Sequence, residues 1–139
     1  MQTAAHPFTL AHWCILAAAL LPLLCAYIAK WGSFRTPRRE GGYDNADPRA
    51  WLARQTAWRA RANAAQANSF EAFPFFVGAV LIAHQLGANQ VWVDGLACTY
   101  IALRVAFIWF YVANRANLRS LVWVLALATN VTILFVGYR

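Results

Sequence analysis

The feature that most constrains the fold of this chain is a set of four apolar runs. They cover residues 8–29, 70–86, 91–113 and 120–138. Each is close to the roughly 20 residues that an α-helix needs to cross about 30 Å of hydrocarbon. Because the chain is 61% hydrophobic and only 12% charged, lipid is its expected solvent. We therefore predict an all-α protein, a bundle of four transmembrane helices in a single membrane domain over residues 1–139.

The first run has the flanks of a retained span rather than of a cleaved signal. No Lys or Arg precedes it, whereas a secretory signal begins with a basic segment, and Lys30 follows it directly. Pro22 lies within the run, and membrane helices tolerate proline because neighbouring groups take up the freed carbonyl. We count this run as the first span.

Basic residues are concentrated in two of the connections between spans. Eight lie between the first and second spans: Lys30, Arg35, Arg38, Arg39, Arg49, Arg54, Arg59 and Arg61. Arg115 and Arg119 lie between the third and fourth, whereas residues 86–90 carry no charge. Since basic connections stay in the cytoplasm, we expect both termini outside it. The net charge of +7 is then expected to face anionic lipid rather than nucleic acid.

The cysteines and histidines have no metal-ligand spacing. No C-x-x-C, H-x-x-x-H or H-E-x-x-H pattern occurs among them. We predict no metal site, and we expect the cysteines to behave as small buried hydrophobes. The residues concerned are Cys14, Cys25, Cys98, His6, His12 and His84.

The second span is predicted to belong to a much longer helix. Asp47 can cap free backbone N–H groups, and Pro48 suits the first helical position. No Gly or Pro follows until Pro74, so one helix is expected from about 48 to 86. Its length would be roughly 58 Å, nearly twice the hydrocarbon thickness. We therefore expect its first half to extend into the cytoplasm or lie along the interface.

A polar stripe follows this helix into the membrane. Arg61, Ala64, Asn68 and Glu71 fall within an arc of roughly 80° on a helical wheel. Since a charge at the bilayer centre costs at least about 2.5–3.5 kcal/mol on insertion scales, this side of the helix should face protein.

The third span carries a matching pair, Arg104 and Tyr111, seven residues apart. The simplest partner for Arg104 is Glu71, either as a structural ion pair or as part of a ligand site. Further polar groups near the cytoplasmic ends favour a site for an anionic, peptide-like ligand, because guanidinium groups suit carboxylates. They are Arg61, Asn68, Tyr111, Arg115 and Arg119.

The stretch "RANAAQANSFEAFPFF", Arg61–Phe76, together with Arg104, Tyr111 and "LRSLVW", resembles the MAPEG family. These are membrane-associated proteins in eicosanoid and glutathione metabolism, and the likeness is strongest to small bacterial members. The resemblance implies a homotrimer of four-helix protomers in the bacterial inner membrane, with glutathione as co-substrate between subunits on the cytoplasmic side. The implied activity is that of a glutathione-dependent transferase or peroxidase acting on lipophilic small molecules.

The resemblance also implies roles for individual residues. Asn68 and Glu71 would hold the glutamyl end of glutathione, and Gln66, about 160° from Asn68, would serve the adjacent subunit's site. Arg119 would be the catalytic residue that stabilises the glutathione thiolate. The remaining residues expected to face the cleft are Arg61, Arg104 and Tyr111.

Two alternatives stay open. Ala64, Ala72 and Phe107 stand where well-studied members carry polar residues, and the family includes members without glutathione activity, so a non-catalytic protein that binds lipid or another amphipathic ligand is the second hypothesis. The third, a four-span multidrug exporter, is disfavoured because such exporters place their carboxylate in the first span, which here has none.

Overall fold

Four long helices dominate the computed structural model, which describes residues 7–138; His6 lies outside this range. Their lengths and apolar composition suffice to cross a membrane, so the prediction of an all-α protein with four spanning helices is confirmed. A short fifth helix precedes the second span, and the described residues contain no strand. In chain order the helices are α1 (Leu10–Lys30), α2 (Pro48–Ala53), α3 (Ala57–Gln85), α4 (Gln90–Val112) and α5 (Ala116–Phe135).

Helices α3 and α4 are both central to the bundle, because each packs against the other three long helices. Small side chains fill much of the core and allow the helices to approach closely. Close van der Waals packing matters in a membrane, because the hydrophobic effect does not drive helices together in lipid. Examples are Ala11, Ala18, Ala79, Ala83 and Ala97.

The expectation of one continuous helix from about 48 to 86 is wrong. Residues 54–56 separate α2 from α3, and Ala57 begins α3 with a positive φ of 52°. The side chain of Gln55 donates to the carbonyl of Trp51 at 2.9 Å, where a continuing helix would place a backbone N–H. Helix α3 still begins about 13 residues before Phe70, an extension of roughly 20 Å beyond the predicted span.

Tertiary contacts of Trp51 explain the break. Trp51 is buried, its indole N–H donates to the carbonyl of Gly41 at 3.1 Å, and its ring meets Tyr43 edge-on. These contacts attach α2 to the preceding connection, so the chain turns before α3 starts. No glycine or proline marks the turn, because packing rather than local propensity produces it.

At the opposite end of the bundle, α4 caps α1. The carboxylate of Asp94 accepts the backbone N–H of Ala11 at 2.7 Å and the side-chain amide of Gln90 at 2.8 Å. Ala11 lies in the first turn of α1, where N–H groups have no partner within the helix. Asp94 therefore replaces the missing partner from another helix.

Two histidines extend this arrangement. The hydroxyl of Thr9 lies 2.8 Å from His12 Nδ1 and 3.3 Å from His84 Nε2, and the two imidazole rings are 4.6 Å apart. His84 Nδ1 in turn lies 2.8 Å from the carbonyl of Val80. The cap network, as we name it, consists of Thr9, His12, His84, Gln90 and Asp94.

The cysteines are only partly the buried hydrophobes that we expected. Cys14 and Cys25 are buried, but Cys98 is exposed on α4. The Sγ atoms of Cys14 and Cys98 lie 3.8 Å apart, a proximity between the first and third spans that sequence spacing could not show. All three are free thiols.

Candidate functional site

Two neighbouring cavities lie between α3, α4 and α5. The outer cavity, of about 440 Å³, lies where α4 ends and α5 begins. Its wall includes Asn68, Phe107, Tyr111, Arg119, Ser120 and Trp123. By the predicted orientation, this is the cytoplasmic side of the bundle.

The inner cavity, of about 200 Å³, lies further along the same three helices. Asn68 and Trp123 border both cavities, so the two are adjacent. The other side chains that define the inner cavity are Glu71, Phe75, Tyr100, Arg104, Leu127 and Asn130.

Arg104 is the fixed centre of this region. It is 3% exposed, and its Nη2 donates to Asn68 Oδ1 at 2.9 Å and to Ser69 Oγ at 3.3 Å. The Ser69 hydroxyl itself donates to the carbonyl of Ala65 at 2.8 Å. The guanidinium also lies 4.5 Å from the centre of the Phe107 ring. Arg104 therefore fixes the orientation of the Asn68 amide: the amide oxygen accepts from Arg104, and the NH₂ group points away from it.

The expected ion pair between Glu71 and Arg104 is not formed. Arg104 bonds to Ser69, which faces into the bundle, and Glu71 lies about 160° from Ser69 around α3. The Glu71 side chain is consequently exposed at the edge of the inner cavity. It forms no ion pair with any residue in the range 7–138, where the salt bridge found joins Arg38 to Asp44. Arg104 donates to Asn68 and Ser69 instead of Glu71, although Asn68 lies only about 60° from Glu71 around α3.

Aromatic rings connect Arg104 to Arg119. Phe107 and Tyr111 meet edge-on at 5.4 Å on α4. The guanidinium of Arg119 lies 4.4 Å from the centre of the Tyr111 ring, a cation–π contact that holds this flexible side chain against the outer cavity. The structure thus brings together Tyr111 and Arg119, which come from different helices.

Two of the residues carried over from the family lie outside both cavities. Arg61 Nε donates to the carbonyl of Val112 at 3.0 Å and so satisfies one of the free carbonyls at the end of α4. Gln66 is half-buried and lines neither cavity. The ligand-binding roles of Arg61 and Gln66 remain predictions.

Asn130 is a residue that sequence reasoning missed. It lies in the C-terminal half of α5, is 2% exposed, and borders the inner cavity. Its side-chain oxygen is buried without a hydrogen-bond partner among the described residues. A polar side chain inside an apolar span is a signal that the search for matched charges passed over.

Comparison with known proteins agrees with this architecture. The model of the MAPEG family matches residues 10–138, nearly the whole chain. Searches of the curated proteins and of the solved structures gave no significant match. With four spanning helices and a family match of this extent, the chain is a multi-pass membrane protein that belongs to the MAPEG family.

Proposed function

We propose that the protein is a glutathione-dependent transferase or peroxidase that acts on lipophilic electrophiles. One observation carries the proposal: Glu71 and Arg119, of opposite charge and without an ionic partner among the described residues, line adjacent cavities that share Asn68. Glutathione is a short peptide with an ammonium and two carboxylates at its ends and a thiol between them. It offers complementary groups to both charges.

Glu71 is suited to the ammonium of the glutamyl end. Its carboxylate forms no ion pair with a residue in the range 7–138 and is exposed at the cavity edge, so it is available to a cationic group of a ligand. The Asn68 amide oxygen is held by Arg104, so its NH₂ is free to donate to a ligand carboxylate. Together the two residues would bind the ammonium and the carboxylate of an α-amino acid.

Arg119 is suited to the thiol. A free thiol has a pKa of about 8.5, and a nearby cation lowers that pKa because it stabilises the thiolate. The resulting thiolate attacks an electrophilic carbon, forming an S–C bond while the leaving group departs with the electron pair. With a hydroperoxide, the thiolate instead attacks the terminal oxygen, which forms an S–O bond and breaks the O–O bond, so that a sulfenic acid remains and the alkoxide leaves and takes up a proton as the alcohol. A second glutathione then converts the sulfenic acid to a disulfide and water.

Assembly as a homotrimer in the bacterial inner membrane belongs to the same proposal. The exposed position of Glu71 and the open cavity edge would suit a cleft that a neighbouring subunit completes. Gln66 would then reach the neighbour's site. Both termini would lie outside the cytoplasm, as the basic connections predict.

Calorimetry in detergent tests the binding step. The wild type should bind glutathione, and Glu71→Gln should bind it at least about tenfold more weakly, since a hydrogen bond to a charged group is worth about 1.5–3 kcal/mol. Glu40→Gln, which changes an exposed carboxylate in the connection before α2, is the matched control and should bind normally. A wild type that fails to bind at millimolar glutathione would sink the proposal.

The non-catalytic alternative has one specific observation in its favour. The buried ring of Phe107 offers no hydroxyl between Arg104 and Tyr111, where a ligand-contacting phenol would otherwise lie. Ultraviolet difference absorbance of bound glutathione separates the two functions. A thiolate signal supports catalysis, whereas lipid that co-purifies in the cleft without any thiolate signal supports the alternative.

A further inference from the structure

Two thiols meet between α1 and α4, at the end of the bundle that holds the cap network. The Sγ atoms of Cys14 and Cys98 lie 3.8 Å apart, and neither residue lines the inner or the outer cavity. Cys14 lies in the second turn of α1 and Cys98 in the third turn of α4. The pair therefore lies outside the candidate glutathione site and has no part in the chemistry proposed there.

A hydrogen bond next to the thiols holds α1 and α4 in register. The Asp94 carboxylate accepts the Ala11 N–H at 2.7 Å. Cys14 follows Ala11 by three residues and Cys98 follows Asp94 by four, so each thiol lies one turn further along its helix, on the same side as that bond. The proximity of the two thiols thus follows from the packing of the helices as well as from the orientation of the side chains.

The two thiols differ in how accessible they are. Cys98 is exposed, whereas Cys14 is 7% exposed and belongs to the core. An oxidant dissolved in the surrounding lipid reaches Cys98 first, and Cys14 is then within contact distance of the oxidised sulfur. Cys25 is buried and lies roughly 16 Å further along α1. An accessible thiol with a second thiol beside it is the arrangement typical of redox-sensitive cysteines.

We propose that Cys14 and Cys98 form a site of reversible oxidation, where a lipid-soluble hydroperoxide converts the two thiols to a disulfide that joins α1 to α4. The Cys98 sulfur attacks the terminal oxygen of the hydroperoxide, so an S–O bond forms, the O–O bond breaks, and the alkoxide leaves and takes up the thiol proton as the alcohol. The Cys14 sulfur then attacks the sulfur of the Cys98 sulfenic acid. An S–S bond forms, and hydroxide leaves with the Cys14 proton as water.

The predicted orientation of the chain agrees with this chemistry. The N-terminal end of α1 would lie outside the cytoplasm, on the side of the inner membrane where disulfides persist. Neither step uses glutathione, so the inference is independent of the proposed function.

Peptide mass mapping of the purified protein in detergent tests the site, with cumene hydroperoxide as the oxidant and no glutathione present. Three thiols should titrate in denaturant before treatment and one afterwards. The map should show Cys14 linked to Cys98 with the loss of two hydrogens, and dithiothreitol should restore all three thiols. Because the link restricts the unfolded chain, the oxidised protein should also unfold at a higher denaturant concentration than the reduced protein.

Cys25→Ala is the matched control, because it removes a buried thiol of the same helix that lies outside the pair. It should form the link at the wild-type rate. Cys98→Ala should keep both of its thiols, and Cys14→Ala should form no internal link and leave a Cys98 sulfenic acid that dimedone traps. If a variant does not fold, the map of the wild type still decides.

Three results would overturn the proposal. The first is a treated wild type that keeps all three thiols. The second is a Cys98 that links to another copy of the chain instead of to Cys14. The third is a Cys98 that is oxidised beyond the sulfenic acid while Cys14 remains a thiol.

Discussion

The two ends of this bundle treat polar side chains in opposite ways. In the cap network, Asp94 accepts two N–H groups, and Thr9 joins His12 to His84. Around the two cavities, Asn130 has no partner for its oxygen and Glu71 forms no ion pair among the described residues. Both regions lie among apolar helices, so the surroundings alone do not explain why polar groups find partners in one region and lack them in the other.

Polar groups within a membrane are tolerated when something satisfies them. In the cap network the protein itself does so, which ties α1 to α3 and α4. At the cavities the protein satisfies Arg104 and leaves its neighbours open. The comparison therefore separates side chains that stabilise the fold from side chains that are available to a ligand, and each prediction below tests that separation.

The largest effect is expected at Arg119. Arg119→Ala should lower the rate of glutathione conjugation at pH 7 by about 10–30-fold, because an opposite charge lowers a thiol pKa by about 1–3 units and a thiol with a pKa of about 8.5 is only about 3% thiolate at that pH. Initial rates with a lipophilic electrophile measure this. Arg54→Ala, which removes an exposed arginine between α2 and α3 that lines neither cavity, should stay close to wild type. Equal losses in the two variants would mean that general basic charge, not this position, matters.

The next largest effect is expected from substitutions in the cap network. Asp94→Ala leaves the Ala11 N–H without its acceptor, so the free energy of unfolding should fall by about 1–3 kcal/mol. Asp94→Asn keeps an oxygen at that position and should lose less. Equilibrium unfolding in mixed micelles measures both. Glutathione affinity should not change in either variant, and a large change would show that the two ends are coupled.

Arg61 tests which region a side chain belongs to. Arg61→Gln removes the bond to the Val112 carbonyl and should lower the free energy of unfolding by about 0.5–1.5 kcal/mol. If Arg61 also contacts glutathione, as the family resemblance predicts, calorimetry should show weaker binding as well. Loss of stability with normal binding would assign Arg61 to the fold alone.

The smallest expected effect is that of Glu71→Gln on the protein without ligand. Since Glu71 forms no ion pair with a described residue and is exposed, the free energy of unfolding should change by less than about 0.5 kcal/mol. Unfolding in mixed micelles, run beside Asp94→Ala, gives the comparison directly. A loss as large as that of Asp94→Ala would reveal a structural partner for Glu71, such as a cation of a neighbouring subunit.

The fold was largely predictable, because long apolar runs leave a chain few options in lipid. The break at residues 54–56 was not, since it depends on the burial of Trp51 against Gly41 and Tyr43. No local breaker residue marks it, and contacts between distant segments are not visible in a helical pattern.

The candidate site was predictable as a set of residues but not as a set of contacts. A helical wheel placed Asn68 and Glu71 on one side of a helix. It could not show that Arg104 would donate to Asn68 and Ser69 rather than pair with Glu71. A serine among small residues gave no sign of that role. Asn130 was missed because a single amide has no charge to match.

A structure determined with glutathione bound would test the central claim most directly. We predict that the ammonium of glutathione lies within salt-bridge distance of Glu71 and that its sulfur lies beside Arg119, with the cap network unchanged. Glutathione bound away from these residues, or Glu71 already paired to a neighbouring subunit's cation in its absence, would contradict the account.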